Sequence, residues 1–518
     1  MNRLKDSLWA KSIGAAILLG LSFAPFPFPF LTLVAFVLIF QVVEKSGTTR
    51  ALILYSFPML ILWNIITTYW LTFATVAGGT AAIVANSAIM LIPLVVMRRI
   101  LFSSLHPIVK SFTLATPWVA YEWLHLQWDL AWPWITIANA YSTATWAVQY
   151  IEFTGYLSIS YWSITLSALF YHVLISHNKL KSNLILVTGL AALIPILISL
   201  VLLKTHVKEP DGYSYVVVAQ PNFDSYLPIA GFPNTFEPLT GLIALSDSAR
   251  SERTNVILWP ENAIMGGISE ITPSRNDRLI FETVQKWGIP IVGGASWYQY
   301  YLKEEVPRVH RIDFAGRPFN VYNSALGFKT NEDLRVYNKI RLVPIVERFP
   351  FVHELSFLTF LGIDWGSLSG YGIGHTMILF DAGDVSFPAV VCYDSVFPSV
   401  VRRSVKKGAG FISVITNDGW WGNTSGHIQH YEFARLRAIE TRRAVVRSAN
   451  NGISGMILPD GSPHSRSEYW TRTSFELEVP VYSHQTFYVK SGEWFGWLML
   501  LTSIGTWGLC RIQVLKYQ

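Results

Sequence analysis

The stretch FPAVVCYDSVFPSVV, residues 387–401, runs an apolar β-like segment into a cysteine, a tyrosine and an aspartate. Its β-branched residues predict a strand over 387–394, and the spacing beyond it predicts a helix over 396–407. Cys392 then stands near the end of a strand, where a sheet holds a side chain rigidly and loops leave space for a substrate. The chain has only two cysteines, Cys392 and Cys510. What an isolated thiol does there depends on its compartment.

The same pattern repeats on both sides of Cys392. Strands are expected over 213–220, 255–260, 289–296, 321–328, 376–381, 410–416, 444–450 and 453–459. Several are continuous apolar runs, which suits a sheet covered on both faces. Segments 236–250, 275–287 and 427–441 have helical spacing and can supply the cover, giving an α/β layered domain. The sequence carries no internal repeat and no low-complexity segment.

Outside this region the chain changes character. Apolar residues make up 51% of the whole and charged residues 14%, and the apolar ones are gathered into blocks, the mark of an integral membrane protein. Runs near 8–24, 28–43, 51–74, 78–97, 107–124, 157–176, 183–203 and 493–512 approach the ~20 residues needed to cross a bilayer core. Eight spans are therefore expected, the first retained because no small-residue cleavage site follows it. Arg3, Lys5, Lys11, Lys45, Arg50, Arg98, Arg99, Lys110, Lys179, Lys181, Arg511 and Lys516 fall at one set of ends. The alternate connections at 27–29, 75–80 and 122–134 carry no Lys or Arg. By the positive-inside rule both termini are cytoplasmic and the α/β region is periplasmic in a diderm bacterium. Tryptophans from Trp118 to Trp134 read as an interfacial belt on that outer side.

This topology separates Cys510 from Cys392 by the bilayer, so Cys392 is an unpaired thiol in an oxidising compartment. A small buried hydrophobe and a nucleophile both fit such a residue. Glu261 follows ILWP and Lys339 follows RVYN, so two more reactive side chains stand at strand ends. A carboxylate within reach can take the thiol proton, and a lysine can hold the oxyanion formed when a thiolate attacks an acyl carbon. A turn-capping carboxylate and a solvated lysine are the plain alternatives, and spacing alone leaves them open.

Four motifs go further: WPENA (259–263), YNKIRLVPIVERFPF (337–351), VVCYDSVFP (390–398) and TNDGWWGNTSGHIQHYEFARLRAIETRRAVVRSANNGISG (416–455). Together they resemble the nitrilase-like domain of bacterial apolipoprotein N-acyltransferases, and the expected eight spans resemble that family's membrane part. The resemblance implies seven helices in 1–205, an αββα catalytic sandwich in 211–486 and an eighth helix in 490–514. It implies Glu261 as general base, Lys339 as oxyanion holder and Cys392 as nucleophile, with Glu347, Tyr393 and Asp394 in support. It further implies ping-pong transfer of an acyl chain from a glycerophospholipid, typically phosphatidylethanolamine, through a thioacyl-cysteine to the N-terminal amine of a diacylglyceryl-cysteine lipoprotein. No cofactor and no metal are expected, and the enzyme is expected to be a monomer in contact with membrane lipids.

The sequence departs from the family in three places. Asp394 stands where the family commonly has Glu, the loop QPNFDSYLPIAGFP (220–233) lacks the family's tryptophan, with Tyr226 or Phe232 as replacements, and WPENAIMG differs from the commoner Glu-Thr continuation. The segment 351–374 is apolar for a loop and ends in closely spaced glycines, so Phe357, Phe360 and Trp365 are expected on a lipid-touching lid, with a buried helix as the alternative. Trp420 and Trp421 are expected at the acyl pocket or the interface. His427 and His430 share a helical face without a metal motif, and Arg402, Arg403, Lys406 and Lys407 read as a solvated helix face. The net charge of +6 reflects mainly the cytoplasmic loops, not nucleic-acid binding. A membrane-tethered carbon–nitrogen hydrolase using water as acceptor is the principal rival, and few charged residues in the spans argue against transport.

Overall fold

The computed structural model describes residues 7–205, 209–302, 304–361 and 364–516. Arg3 and Lys5 lie outside these residues, as do the side chains of Arg511 and Lys516. The chain divides into two compact units, Met1–Lys208 with Thr486–Gln518, and Glu209–Gln485.

The first unit is helical. Every expected apolar run carries helix: Leu8–Leu21, Leu31–Lys45, Thr49–Thr68, Val76–Ile89 with Leu91–Leu101, Pro107–Leu114 with Thr116–His125, Leu157–Ile175, Asn178–Thr205 and Trp494–Lys516. Among the described residues, four are long and apolar enough to cross a membrane: Thr49–Thr68, Val76–Leu101, Leu157–Ile175 and Asn178–Thr205. Leu8–Leu21 has 14 residues, about 21 Å of helix against a core of ~30 Å, and the 107–125 run breaks at Ala115 just before Pro117. Asn178–Thr205 leaves Ile185, Leu186, Leu190, Leu193, Leu197 and Val201 exposed, a surface that suits lipid and not water. The interior is pinned by polar contacts: Thr32 Oγ1 lies 2.9 Å from both Tyr141 Oη and Ser163 Oγ. The Trp123 and Trp497 rings pack 4.5 Å apart, and a Cβ on Gly496 would collide with Trp123.

The second unit is an α/β sandwich. Its larger sheet orders Thr473–Val481, Gly212–Gln220, Val256–Leu258, Ile291–Tyr300, Pro318–Phe328 and Arg311–Ile312. Ile264–Ser269 adds to Ile291–Tyr300, and Arg335–Asn338 to Pro318–Phe328. The smaller sheet runs Ala389–Val391, Ile412–Thr416, Val445–Ala449, Gly455–Ile457 and Pro463–Arg466, its first three strands parallel. Helices Pro398–Lys406 and Ser425–Thr441 are the crossovers between those parallel strands, as strand–helix–strand connections require. Phe236–Asp247 and Arg275–Trp287 cover the larger sheet, the latter started by a Ser274–Asp277 capping box and stopped by left-handed Gly288. Helices therefore lie outside two facing sheets, and Ser448 Oγ ties the sheets by donating to the Ala219 and Leu258 carbonyls at 2.9 and 3.2 Å. A core of Val217, Ile257, Trp259, Ile280, Val284 and Leu326 fills the space between the larger sheet and its helices.

Two expectations shift. The strand expected over 387–394 ends at Val391, because Cys392–Val396 forms a 3₁₀ turn. Of 376–381 only Phe380 and Asp381 lie in a strand, Phe380–Ala382, which pairs with Val385–Phe387. The Met377 and Leu379 carbonyls are taken instead by Lys407 Nζ at 2.7 Å and Arg335 Nη1 at 3.3 Å, so no ladder is needed there.

Candidate active site

Three strand ends converge. Glu261 stands three residues beyond Val256–Leu258, Lys339 directly follows Arg335–Asn338, and Cys392 directly follows Ala389–Val391. All three side chains are buried, Lys339 to 1% exposure. Backbone that L residues rarely adopt stands at Cys392 and beside Glu261 and Glu347: Cys392 itself has φ +45°, Asn262 after Glu261 has +56°, and Ile345, two residues before Glu347, has +70°. Left-handed non-glycine residues, above all a β-branched one, mark places where the surroundings over-determine the chain.

Lys339 links the acidic groups. Its Nζ donates to Glu347 Oε1 at 2.8 Å and to Glu261 Oε1 at 3.3 Å. Asn323 Nδ2 donates to the same two oxygens, at 2.9 Å for Glu347 and 2.7 Å for Glu261. Glu261 Oε2 accepts the Asn417 backbone N–H at 3.0 Å, and Glu347 Oε2 accepts that of Val343 at 2.7 Å. Burial by itself would lower the Lys339 pKa, but Glu261, Glu347 and the neighbouring Cys392 raise it well above its ordinary value. The ammonium is therefore held charged in a closed pocket. The Cys392 thiol is pushed the other way, up, by burial and by the Glu261 carboxylate, while Lys339 opposes the rise. It rests protonated beside a carboxylate and an ammonium, a set able to pass a proton as a sulfur–acyl bond forms.

Asp394 serves the backbone. Its carboxylate accepts Tyr337 Oη at 2.6 Å, Ile340 N–H at 3.1 Å and Arg341 N–H at 2.6 Å, fixing the chain on both sides of Lys339. Burial lifts its carboxyl to about 6, against the pull of Tyr337, Lys339 and those N–H groups. Tyr393 is buried and packs edge-on against Phe397, 5.0 Å between centroids.

The remaining sequence-predicted residues separate into two groups. Phe357 and Phe360 are 60% and 75% exposed, so a fully buried helix over 351–374 is not what forms; residues 362–363 lie outside the described residues. Trp365 is buried, and with Val309 and Val352 it builds a small separate core. The glycines behind it are close approaches: a Cβ at Gly370 would strike the Glu347 carbonyl, and one at Gly374 the Asn338 carbonyl. Trp420 is exposed and packs edge-on with Tyr226 at 6.2 Å, whereas Phe232 packs on Phe223 in the core. Trp421 is half-buried against His430.

Sequence reasoning passed over Asn323, Asn417, Ser395 and Asp418. An amide in the middle of the apolar strand VYNSALGF was the available signal for Asn323, since a polar side chain buried in a sheet needs a partner. His427 stacks on Tyr469 at 3.9 Å, while His430 is hydrogen-bonded to Asp418 and Ser395. Cys392, Asp418 and His430 bring ligand-type atoms within 4.8 Å of one another. Asp418 is already engaged by Thr416, His430 and the Arg447 guanidinium, a cation that opposes a second one. These residues do not suit a metal.

Two family models match the chain in order. Apolipoprotein N-acyltransferase N-terminal domain covers residues 15–169, and Carbon-nitrogen hydrolase covers 232–481. A protein of Chlorobaculum tepidum named apolipoprotein N-acyltransferase is 28% identical over 512 residues, spanning 94% of this chain and 93% of that protein. The chain belongs to the apolipoprotein N-acyltransferase family. As a member it is an acyltransferase with a nitrilase-like α/β domain on a helical membrane protein. The apolipoprotein N-acyltransferase of Thermotoga maritima is 26% identical over 403 residues, covering 77% of this chain and 70% of that protein. Among solved structures the chain is similar to an amidase from Nesterenkonia sp., at 15% identity and a TM-score of 0.37, over 54% of this chain and 94% of the amidase.

Proposed function

We propose that this acyltransferase moves an acyl chain from a glycerophospholipid, phosphatidylethanolamine in the first instance, to the α-amine of a diacylglyceryl-cysteine lipoprotein. The observation that carries the reading is the buried meeting of Cys392 with Glu261 and Lys339 at three strand ends. Glu261 takes the Sγ proton as sulfur attacks the ester carbon, and the Lys339 ammonium stabilises the oxyanion. The C–O bond breaks, Glu261 returns the proton to the departing glycerol oxygen, and a lysophospholipid leaves a thioester on Cys392. The lipoprotein amine then attacks that carbon. Its proton passes through Glu261 to the sulfur as the C–S bond breaks, leaving an amide and the free thiol.

The membrane setting belongs to the same proposal. In it the chain crosses the inner membrane eight times with both termini in the cytoplasm and the Glu209–Gln485 unit in the periplasm, and a monomer meets both lipid substrates from the outer leaflet; the distribution of Lys and Arg between the connections supports this. Exposed Ile345 and Val346 beside Glu347, with Phe357 and Phe360, support a lipid-facing lid over the thioester. Taking acyl chains sideways from the bilayer avoids about 0.8 kcal/mol per CH₂ of exposure to water.

The test is intact-protein mass spectrometry of the full chain in phospholipid, with Cys392→Ala alongside. An acyl-sized mass gain on the native protein, absent from the variant and discharged onto the amine of a diacylated lipopeptide, is the expected result. No adduct on folded, reduced protein overturns the thioester, and an adduct lost only to water identifies the carbon–nitrogen hydrolase instead.

A further inference from the structure

Behind the Cys392 turn lies a buried polar chain with no task in the steps above. Ser395 Oγ donates to the Cys392 carbonyl at 2.6 Å and lies 3.0 Å from His430 Nε2. His430 Nδ1 donates to Asp418 Oδ1 at 2.8 Å, which also accepts Thr416 Oγ1 at 2.8 Å. Asp418 Oδ2 accepts Arg447 Nη2 at 3.3 Å, and a Cβ on Gly452 would collide with this carboxylate. Ser395, His430, Asp418, Thr416 and Arg447 are all buried.

Such a chain is expensive to assemble. Charged groups taken from water recover their solvation only when their geometry is good, and apolar packing often serves stability as well. Its place in the molecule explains it. Each residue belongs to a different part of the smaller sheet or its connections: Ser395 to the Cys392–Val396 turn, Asp418 to the turn Asp418–Trp421 that follows Ile412–Thr416, His430 to Ser425–Thr441 and Arg447 to Val445–Ala449. They converge on one carbonyl, that of the residue with φ +45°. A cysteine is disfavoured in that region, and holding its carbonyl from a rigid framework is a direct way to keep it there.

We infer that Asp418, His430 and Ser395 form a relay that locks the left-handed turn at Cys392 and so aims the thiol at Glu261 and Lys339. Ser395 and His430 are positioning residues: they act through the Cys392 backbone. The kinetic part of this inference rests on the acyl-transfer reading, the thiol reactivity part does not.

The test uses the full chain in detergent and Ser395→Ala, which removes the bridging hydroxyl without adding volume. Alkylation of Cys392 by iodoacetamide is followed over a pH series by peptide mass spectrometry, which separates it from Cys510. Acyl transfer to a diacylated lipopeptide gives kcat and KM. Freed from its turn, the thiol leaves its buried place beside the Glu261 carboxylate, the two influences that outweigh Lys339 and hold it protonated, so its alkylation profile moves to lower pH. The kcat falls about tenfold or more, with KM little changed, as expected for an interaction that matters only to the reacting geometry. Ser395→Thr, which keeps the hydroxyl, restores most of both. If either the profile or kcat of Ser395→Ala matches the wild type, the relay does not position the thiol. Should Ser395→Ala fail to fold, Asp418→Asn goes through the same two measurements under the same criteria. A wild-type chain that alkylates normally and transfers no acyl group refutes the acyl-transfer reading alone.

Discussion

Replacing Lys339 by Met tests the site where its energetics are most concentrated. The side chain is 1% exposed and its Nζ lies 2.8 and 3.3 Å from two carboxylates. Removing one partner of a buried ion pair costs about 3–5 kcal/mol, because the charge left behind keeps its desolvation penalty. Here two carboxylates remain, both accepting from Asn323 Nδ2 and left without the ammonium that joined them. Catalysis suffers separately: loss of one oxyanion donor costs about 10²–10³ in rate, roughly 3–4 kcal/mol. The ammonium stays charged well above its ordinary range, so in the wild type neither loss is mimicked by a moderate rise in pH. Single-turnover appearance of the acyl adduct on Cys392, read by intact mass, is expected to slow at least 10²-fold in Lys339→Met, with a lower thermal midpoint. A variant that acylates at the wild-type rate would refute the oxyanion role. One that melts like the wild type would refute the buried-pair energetics.

Two further outcomes are expected. Burial alone would raise the Asp418 carboxyl, but His430 and Arg447 overcome it and bring it from 3.8 to about 2. A depressed carboxyl stabilises the fold above its unfolded value and gives that up as pH falls through the folded one, so roughly 2 kcal/mol should vanish between pH of about 4 and 2. Asp418→Asn should flatten that part of the melting-temperature profile, and an unchanged slope would count against the ion pair. Phe357→Ser with Phe360→Ser should reduce acyl transfer from bilayer phospholipid and weaken membrane contact while Cys392 alkylation persists; if transfer and contact are both unchanged, the lid does not touch lipid.

Much of the architecture was legible because its signals are local. Apolar runs such as 183–203 and 410–416 announce a helix in lipid and a strand covered on both faces. Thr473–Val481 was missed: Glu476 and Glu478 interrupt it and Pro480 lies near its end, yet it pairs antiparallel with Gly212–Gln220 along nine residues. Ile264–Ser269 was hidden by Gly266 and Gly267, both at positive φ. At the site, Glu261, Lys339 and Cys392 stood out by chemistry and motif. Asn323 did not, because its value comes from reaching Glu261, 62 residues away in sequence, across the sheet. His430 was read as one side of a helix, whereas its partners sit on two other elements.

Asp394 shows how a departure from the family pattern becomes intelligible. In sequence it is a carboxylate one methylene short beside the nucleophile. In the fold it caps two successive backbone N–H groups immediately after Lys339 and takes the hydroxyl of Tyr337, two residues before it. The Cys392 turn thus reaches in two directions: through Asp394 it fixes the strand end bearing the ammonium, and through Ser395 it is fixed to the smaller sheet. A shorter side chain suffices when its targets are backbone groups at contact distance, and it leaves no atoms free to reach a substrate. Asp394 therefore sets where Lys339 stands relative to Cys392. The charges that meet the sulfur are those of Glu261 and Lys339.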